Sequence, residues 1–228
     1  MAAPPLILFD LDDTLCDYSG ARVGRLRGAF GDAFAAAGID AIDLDAVVAE
    51  SIAIHPHGSD HFADLLARHG VADEELAQAA RRWYHQNRFL GLDLYPDARS
   101  VLDAVRSLPG VRGIGVITNG PADVQRAKLD LLDLWRAIDF AVISGELGIE
   151  KPDPRIFAEA LRLGGRDAAE AVYIGDSPEF DIEGARSAAI PVVWMNRPAA
   201  PWPHDSPAPH HEIRELTELL DLLPTLCE

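Results

Sequence analysis

The sequence predicts an α/β fold: a Rossmann-like parallel sheet with helices on both faces, interrupted near its start by an inserted helical domain. Three observations predict it. The chain opens on a short apolar run, Pro5-Leu6-Ile7-Leu8-Phe9, that ends abruptly in aspartates. Residues from about 19 to 90 then read as one helix after another, rich in Ala, Leu and Arg. From Leu94 onward, apolar runs of strand length alternate with helical patterns, the arrangement that builds right-handed crossovers and a parallel sheet covered on both faces.

The opening run reads as a buried strand, because it is apolar throughout. Phe9-Asp10-Leu11-Asp12-Asp13-Thr14-Leu15 follows. In extended chain, residues two apart point to the same side, so Asp10 and Asp12 are expected to project together and Asp13 away. Two carboxylates on one face repel unless a cation lies between them or one takes a proton. Either state suits chemistry on an anionic group.

Helical spacing dominates the next stretch. Leu26, Ala29, Phe30, Ala33 and Phe34 share one face, and Gly38 is a stop. Residues 43–54, 59–69 and 73–89 read as three further helices, the last beginning with acidic residues that suit the positive end of a helix dipole. Roughly 70 helical residues far exceed the ~12 that a parallel crossover needs. The predicted boundaries are therefore 1–16 and 93–228 for the α/β core, and 17–92 for the helical domain.

Past Leu94 the elements follow in turn. Residues 96–108 read as a helix ended by Pro109-Gly110, and 111–117 as a strand running into Thr118-Asn119-Gly120-Pro121. Pro121 suits the first turn of the next helix, which carries Val124, Leu129 and Leu132. Residues 140–143 are a strand and 148–152 a loop holding Lys151; Asp153 caps a helix with Pro154 at its first position. Residues 171–174 are a strand leading to Gly175-Asp176-Ser177-Pro178, 179–188 a helix, 191–195 a strand, 196–209 a Pro-rich loop, and 212–223 a closing amphipathic helix. Ligands of such sheets bind outside the carboxyl ends of the strands, where Asp10, Thr118 and Asp176 all fall.

Composition narrows the function. A formal net charge of −17 over 228 residues argues against non-specific nucleic-acid binding and against anionic membranes. A phosphate site must then supply positive charge locally. Cys16 and Cys227 are the only cysteines, which gives neither a disulfide framework nor a zinc site. No signal-peptide pattern or bilayer-length apolar stretch is visible, so a soluble, cytoplasmic protein is expected. Of 20 basic residues 18 are Arg, and only Lys128 and Lys151 are Lys. A Lys kept against that bias suits a site that needs a compact ammonium; for Lys128 chance retention reads equally well.

Asp10 with Asp12, Thr118-Asn119-Gly120, Lys151-Pro152, and Asp176 with Asp181 form the series DxDxT, TNG, Lys-Pro and GDxxxxD. In order and residue type the series resembles the haloacid dehalogenase-like (HAD) hydrolase superfamily, in its phosphatase branch with a helical cap after the first strand. The resemblance covers essentially the whole chain. It implies a Mg²⁺-dependent phosphomonoester hydrolase acting on a small phosphorylated metabolite of the sugar phosphate or nucleoside monophosphate class. By that resemblance Asp10 is the nucleophile that forms an aspartyl-phosphate and Asp12 is the acid/base. Thr118, Asn119, Gly120 and Lys151 bind phosphate. Asp10, Asp12 (through its carbonyl) and Asp176 hold the metal, and Asp181 supports from the second rank. Haloalkanoic acid dehalogenases of the superfamily lack an acid two residues after the nucleophile, because halide leaves without a proton; Asp12 therefore favours a phosphatase. The alternatives are a phosphomutase of the same superfamily and a catalytically silent domain that binds a phosphate ligand.

The helical domain is expected to close over the strand ends and select a small-molecule phosphoester, with the chain a monomer or homodimer. His55, His57 and His61 match no specific zinc spacing and read as a helix cap or surface turn. Trp83 and Phe89 read as core, and Cys16 as packing.

Overall fold

The structure, a computed structural model, describes residues 4–54, 61–203 and 208–226. By internal packing the chain divides into two compact units, residues 1–17 with 93–228, and residues 18–92.

The first unit is a six-stranded, wholly parallel sheet: β1 (Leu6–Phe9), β2 (Gly113–Thr118), β3 (Phe140–Ile143), β4 (Ala171–Gly175), β5 (Val192–Met195) and β6 (His211–Ile213). The strand order is β3-β2-β1-β4-β5-β6. All four residues of β1 are buried, as a central parallel strand requires. β1 lies between β2, in register Leu6 to Gly113, and β4, in register Leu6 to Ala171. The order therefore reverses between β1 and β4, and at such a point the crossovers diverge and leave a crevice at the carboxyl ends. Asp10 and Asp176, each one residue past the end of its strand, flank it.

Between strands run α5 (Ala98–Ser107), α6 (Ala122–Leu131), the short α7 (Ser144–Leu147), α8 (Pro154–Gly164) and the short α9 (Gly184–Ser187). Leu6, Leu8, Ile117, Ile156, Phe157, Tyr173, Ile182 and Trp194 belong to one buried core on this sheet. The Asp153 cap is as expected: its carboxylate accepts from the Arg155 N–H, and Pro154 opens α8.

Two expectations are corrected. Residues 179–188 do not form one regular helix but a π-helical turn, Pro178–Glu183, followed by α9. The Ser177 carbonyl accepts from both Asp181 N–H (3.0 Å) and Ile182 N–H (3.1 Å). That wider turn swings Asp181 inward until it is only 1% exposed; single π-turns of this kind recur at functional sites. The closing segment, expected as a helix over 212–223, begins instead with β6. The free edge of β5 offers unpaired ladder groups, and Asn196 N–H donates to Ile213 O (2.7 Å) while Asn196 Nδ2 donates to Glu212 Oε1 (2.8 Å). Only Leu219–Leu222 (α10) is α-helical, between 3₁₀ turns at Leu216–Glu218 and Leu223–Thr225.

The second unit holds α1 (Tyr18–Ala36), α2 (Leu44–Ile54), α3 (Phe62–Arg68) and α4 (Glu74–Gln86) around a core of its own that includes Leu26, Phe30, Phe34, Val47, Phe62, Leu65, Leu66 and Tyr84. Asp73 caps α4, accepting from Glu75 N–H (2.9 Å) and Leu76 N–H (3.1 Å). His55 and His57 lie outside the described residues. His61 is buried, its Nε2 2.5 Å from Ser51 Oγ. No helix among the described residues is long and apolar enough to cross a membrane.

Candidate active site

Asp10 still belongs to the sheet through its main chain, whose N–H donates to Ile174 O of β4 (2.8 Å). That bond fixes where its carboxylate begins. Lys151 meets it from the loop before α8. The Lys151 Nζ donates to Asp10 Oδ1 (2.5 Å), to Asp181 Oδ1 (2.7 Å) and to the Tyr173 hydroxyl (3.1 Å). An ammonium has three protons, and these three acceptors match them. The Tyr173 hydroxyl in turn donates to Asp181 Oδ1 (2.7 Å), and Ser177 N–H donates to Asp181 Oδ2 (2.9 Å).

Lys151 reaches this point because its backbone is clamped to the end of β2. Its N–H donates to Asn119 Oδ1 (2.8 Å) and Asn119 Nδ2 donates to its carbonyl (3.0 Å). Thr118, the last residue of β2, is 1% exposed and its hydroxyl accepts from Gln125 Nε2. Gly120, at φ 139°, turns the chain into α6 and gives its N–H to Ser144 Oγ (2.9 Å). Gly175 ends β4, where a Cβ would lie 2.4 Å from Asp181 Cγ; only glycine leaves room for that carboxylate.

Asp10, Asp176 and Asp181 each offer an oxygen, all within 4.8 Å of one another. Burial, with Asp181 and Asp12 adding to it against the pull of Lys151, pushes the Asp10 carboxyl up to about 7. Burial first, then Asp181, Asp10 and Asp13, pushes Asp176 up to about 9. For Lys151, burial alone would lower the ammonium, but Asp10 and Asp181 outweigh it and hold it above its ordinary value. Three crowded carboxylates around one cation are a donor set of hard oxygens short of positive charge, which suits a divalent hard cation.

Asp12 is held elsewhere. Its Oδ1 and Oδ2 accept from Lys128 Nζ of α6 at 2.8 and 2.6 Å, and Oδ2 also accepts from Gln125 Nε2 (3.2 Å). Extended geometry does not persist past β1: Leu15 N–H and Cys16 N–H both donate to Leu11 O (3.0 and 3.1 Å), and Asp13 takes φ 62°. Asp10 and Asp12 are close enough to interact, yet each is bonded to a different lysine. Cys16 is buried, its Sγ 3.4 Å from Leu11 O, and burial pushes its thiol up.

All eight residues singled out from the sequence thus gather at the carboxyl ends of β1, β2 and β4. Sequence reasoning missed Gln125 and Tyr173 and left Lys128 undecided. Lysine scarcity was the one available signal; nothing local marks a glutamine or a strand tyrosine as part of a site.

The site is a buried cluster of carboxylates and a lysine at the strand ends of a parallel sheet of this order. The chain belongs to the haloacid dehalogenase-like hydrolases, whose family model matches residues 4–189. Within the family it is a phosphatase: it is 37% identical to a glyceraldehyde 3-phosphate phosphatase of Methanopyrus kandleri over 97% of this chain and 98% of that one. Among solved structures it is similar to a magnesium-bound HAD hydrolase of Bacillus subtilis (TM-score 0.74, 23% identity, 97% of this chain and 99% of that one). It is also similar to a 2-haloacid dehalogenase of Pseudomonas syringae (TM-score 0.63, 31% identity, 99% of each chain).

Proposed function

We propose that the chain is a Mg²⁺-dependent phosphomonoester hydrolase that works through an aspartyl-phosphate on Asp10, with Asp12 as acid and base, on a small phosphorylated metabolite. The observation that carries this reading is the separation of the two aspartates. Asp10 lies in the buried cluster with Lys151, Asp176 and Asp181, whereas Asp12 is bonded to Lys128. One carboxylate is thereby available for attack and the other for proton transfer.

The phosphate enters against the Lys151 ammonium, the Thr118 hydroxyl and the Asn119 main-chain N–H ahead of α6, where the helix N-terminus favours an anion; the Gly120 N–H, expected to join them, is instead given to Ser144 Oγ. An Asp10 oxygen attacks phosphorus in line as the bond to the leaving oxygen breaks, and Asp12, acting as the acid, gives that oxygen a proton. A water then loses a proton to Asp12 and attacks the aspartyl-phosphate, releasing inorganic phosphate and restoring Asp10. Asp10, Asp176 and the Asp12 carbonyl would hold Mg²⁺, which supplies the charge neutralisation that phosphoryl transfer needs. Asp181 and Tyr173 keep Lys151 aimed at the nucleophile.

The likeness to a dehalogenase is weighed by Asp12. Halide leaves without a proton, while an alkoxide does not, so an acid beside the nucleophile supports the phosphatase over halide release. The M. kandleri relative makes a phosphorylated triose the first substrate to try. The test is phosphate release from a panel of phosphomonoesters with and without Mg²⁺. We expect release that requires the metal, no turnover in Asp10→Asn, and a loss of about 10²–10⁴-fold in Asp12→Asn, the usual worth of an acid–base group. Full activity in either variant would overturn its assignment, and halide release from a 2-haloacid would overturn the phosphatase reading.

A further inference from the structure

We propose that Lys128, together with Gln125, is the positioning residue for Asp12: it fixes the acid–base carboxylate at one setting relative to the phosphate-binding end of β2. This rests on the reading of Asp12 as the acid and base. Lys128 is only 3% exposed, and a buried ammonium is costly unless paired. It meets both Asp12 oxygens, at 2.8 and 2.6 Å, so the carboxylate is held in direction as well as in place. Gln125, one turn earlier on the same helix face, is also buried and donates both to Asp12 Oδ2 (3.2 Å) and to the Thr118 hydroxyl.

One face of α6 therefore registers two parts of the site that the sequence keeps far apart, Asp12 after β1 and Thr118 at the end of β2. A carboxylate that must hand a proton to one particular oxygen depends on such registration, since small misplacements of a reacting group are costly in rate. The residue type fits. A compact ammonium can sit between two carboxylate oxygens in a closed space, whereas a guanidinium brings a wider planar fork. This accounts for a lysine in a chain that otherwise writes nearly all its positive charge as arginine.

The test uses leaving-group dependence in the full-length protein with Mg²⁺. The quantity is kcat/KM, which covers the steps up to departure of the leaving group. An alkyl phosphate leaves as a poor alkoxide that needs the proton from Asp12; p-nitrophenyl phosphate leaves without one. Lys128→Met should lower kcat/KM on the alkyl ester by about 10–10²-fold while changing it less than about threefold on the aryl ester, somewhat short of the full worth of an acid. The Asp12→Asn, Lys128→Met double variant should be no slower on the alkyl ester than Asp12→Asn alone, because residues that act as one unit are not additive.

Equal losses on both esters would overturn the assignment, since they would mean a direct phosphate contact or damage to the fold. Additive losses in the double variant, or an unchanged Lys128→Met enzyme, would also overturn it. Should Lys128→Met not accumulate as folded protein, Lys128→Gln, which keeps an N–H donor, carries the same comparison. The underlying reading fails separately: if Asp12→Asn shows no dependence on the leaving group, the acid role falls and the positioning role with it.

Discussion

Two lysines and four aspartates carry the chemistry proposed for this site, and at the scale of single residues what matters is which carboxylate each cation meets. Lys151 spends its three protons on Asp10, Asp181 and Tyr173; Lys128 spans the two oxygens of Asp12. Away from the site, Asp153 shows the same physics on the surface. Hydrogen bonds from the Arg155 side chain, then from its backbone N–H, lower the Asp153 carboxyl to about 2. A carboxyl depressed in the folded state adds stability above its unfolded value of about 3.9, and loses it as pH falls towards the folded value. Urea midpoints of the native protein and Asp153→Asn should therefore differ at pH 5 and converge as pH falls from 4 to 2. A constant difference across that range would show that the pair contributes nothing that titrates.

At the scale of elements, the site depends on how β4 ends and how the next turn begins. Gly175 leaves no Cβ where Asp181 packs, and the π-helical turn over Pro178–Glu183 delivers Asp181 to Lys151. Neither feature works without the other: a side chain at 175 would meet the Asp181 carboxylate directly. Gly175→Ala should displace Asp181, destabilise the fold by about 1–3 kcal/mol as overpacking does, and lower kcat while the far-ultraviolet circular dichroism stays native. Wild-type kcat in Gly175→Ala would show that Lys151 does not need Asp181 to be placed. The edge pairing of β6 illustrates the converse, a polar strand stabilised by a neighbour's free ladder groups and by Asn196.

At the scale of the whole molecule, charge dominates. The chain carries −17 formal charges, so a phosphomonoester dianion approaches against an unfavourable field until it comes within reach of the buried lysines. Salt screens that repulsion, with a Debye length of about 10 Å at 0.1 M and about 30 Å at 0.01 M. Raising KCl between those concentrations should raise kcat/KM for a dianionic substrate and leave kcat nearly unchanged. A fall in kcat/KM would mean that local positive charge, not the acidic surface, governs encounter.

Much of this molecule is written locally. The apolar β1 run, the alternation after Leu94, the Asp153–Pro154 helix start and the strand-end motifs at Asp10, Thr118 and Asp176 are short-range signals, because burial on both faces, capping and turn chemistry act within a few residues. Those signals point to the α/β class and to Asp10, Thr118 and Asp176 at the strand ends, whereas Asp181 and the role of Lys151 came with the family resemblance. Other features depend on partners far along the chain. The Lys128–Asp12 pair joins residues 116 apart and the Gln125–Asp12 bond residues 113 apart. The strand at His211–Ile213 exists because β5 has an open edge, and the π-turn at 178–183 delivers Asp181 to Lys151, 30 residues earlier in the chain. The sequence by itself determined which residues stand at the strand ends. Only the tertiary structure decided which lysine each aspartate meets, because that pairing is set by how helices pack back onto the sheet and not by spacing along the chain.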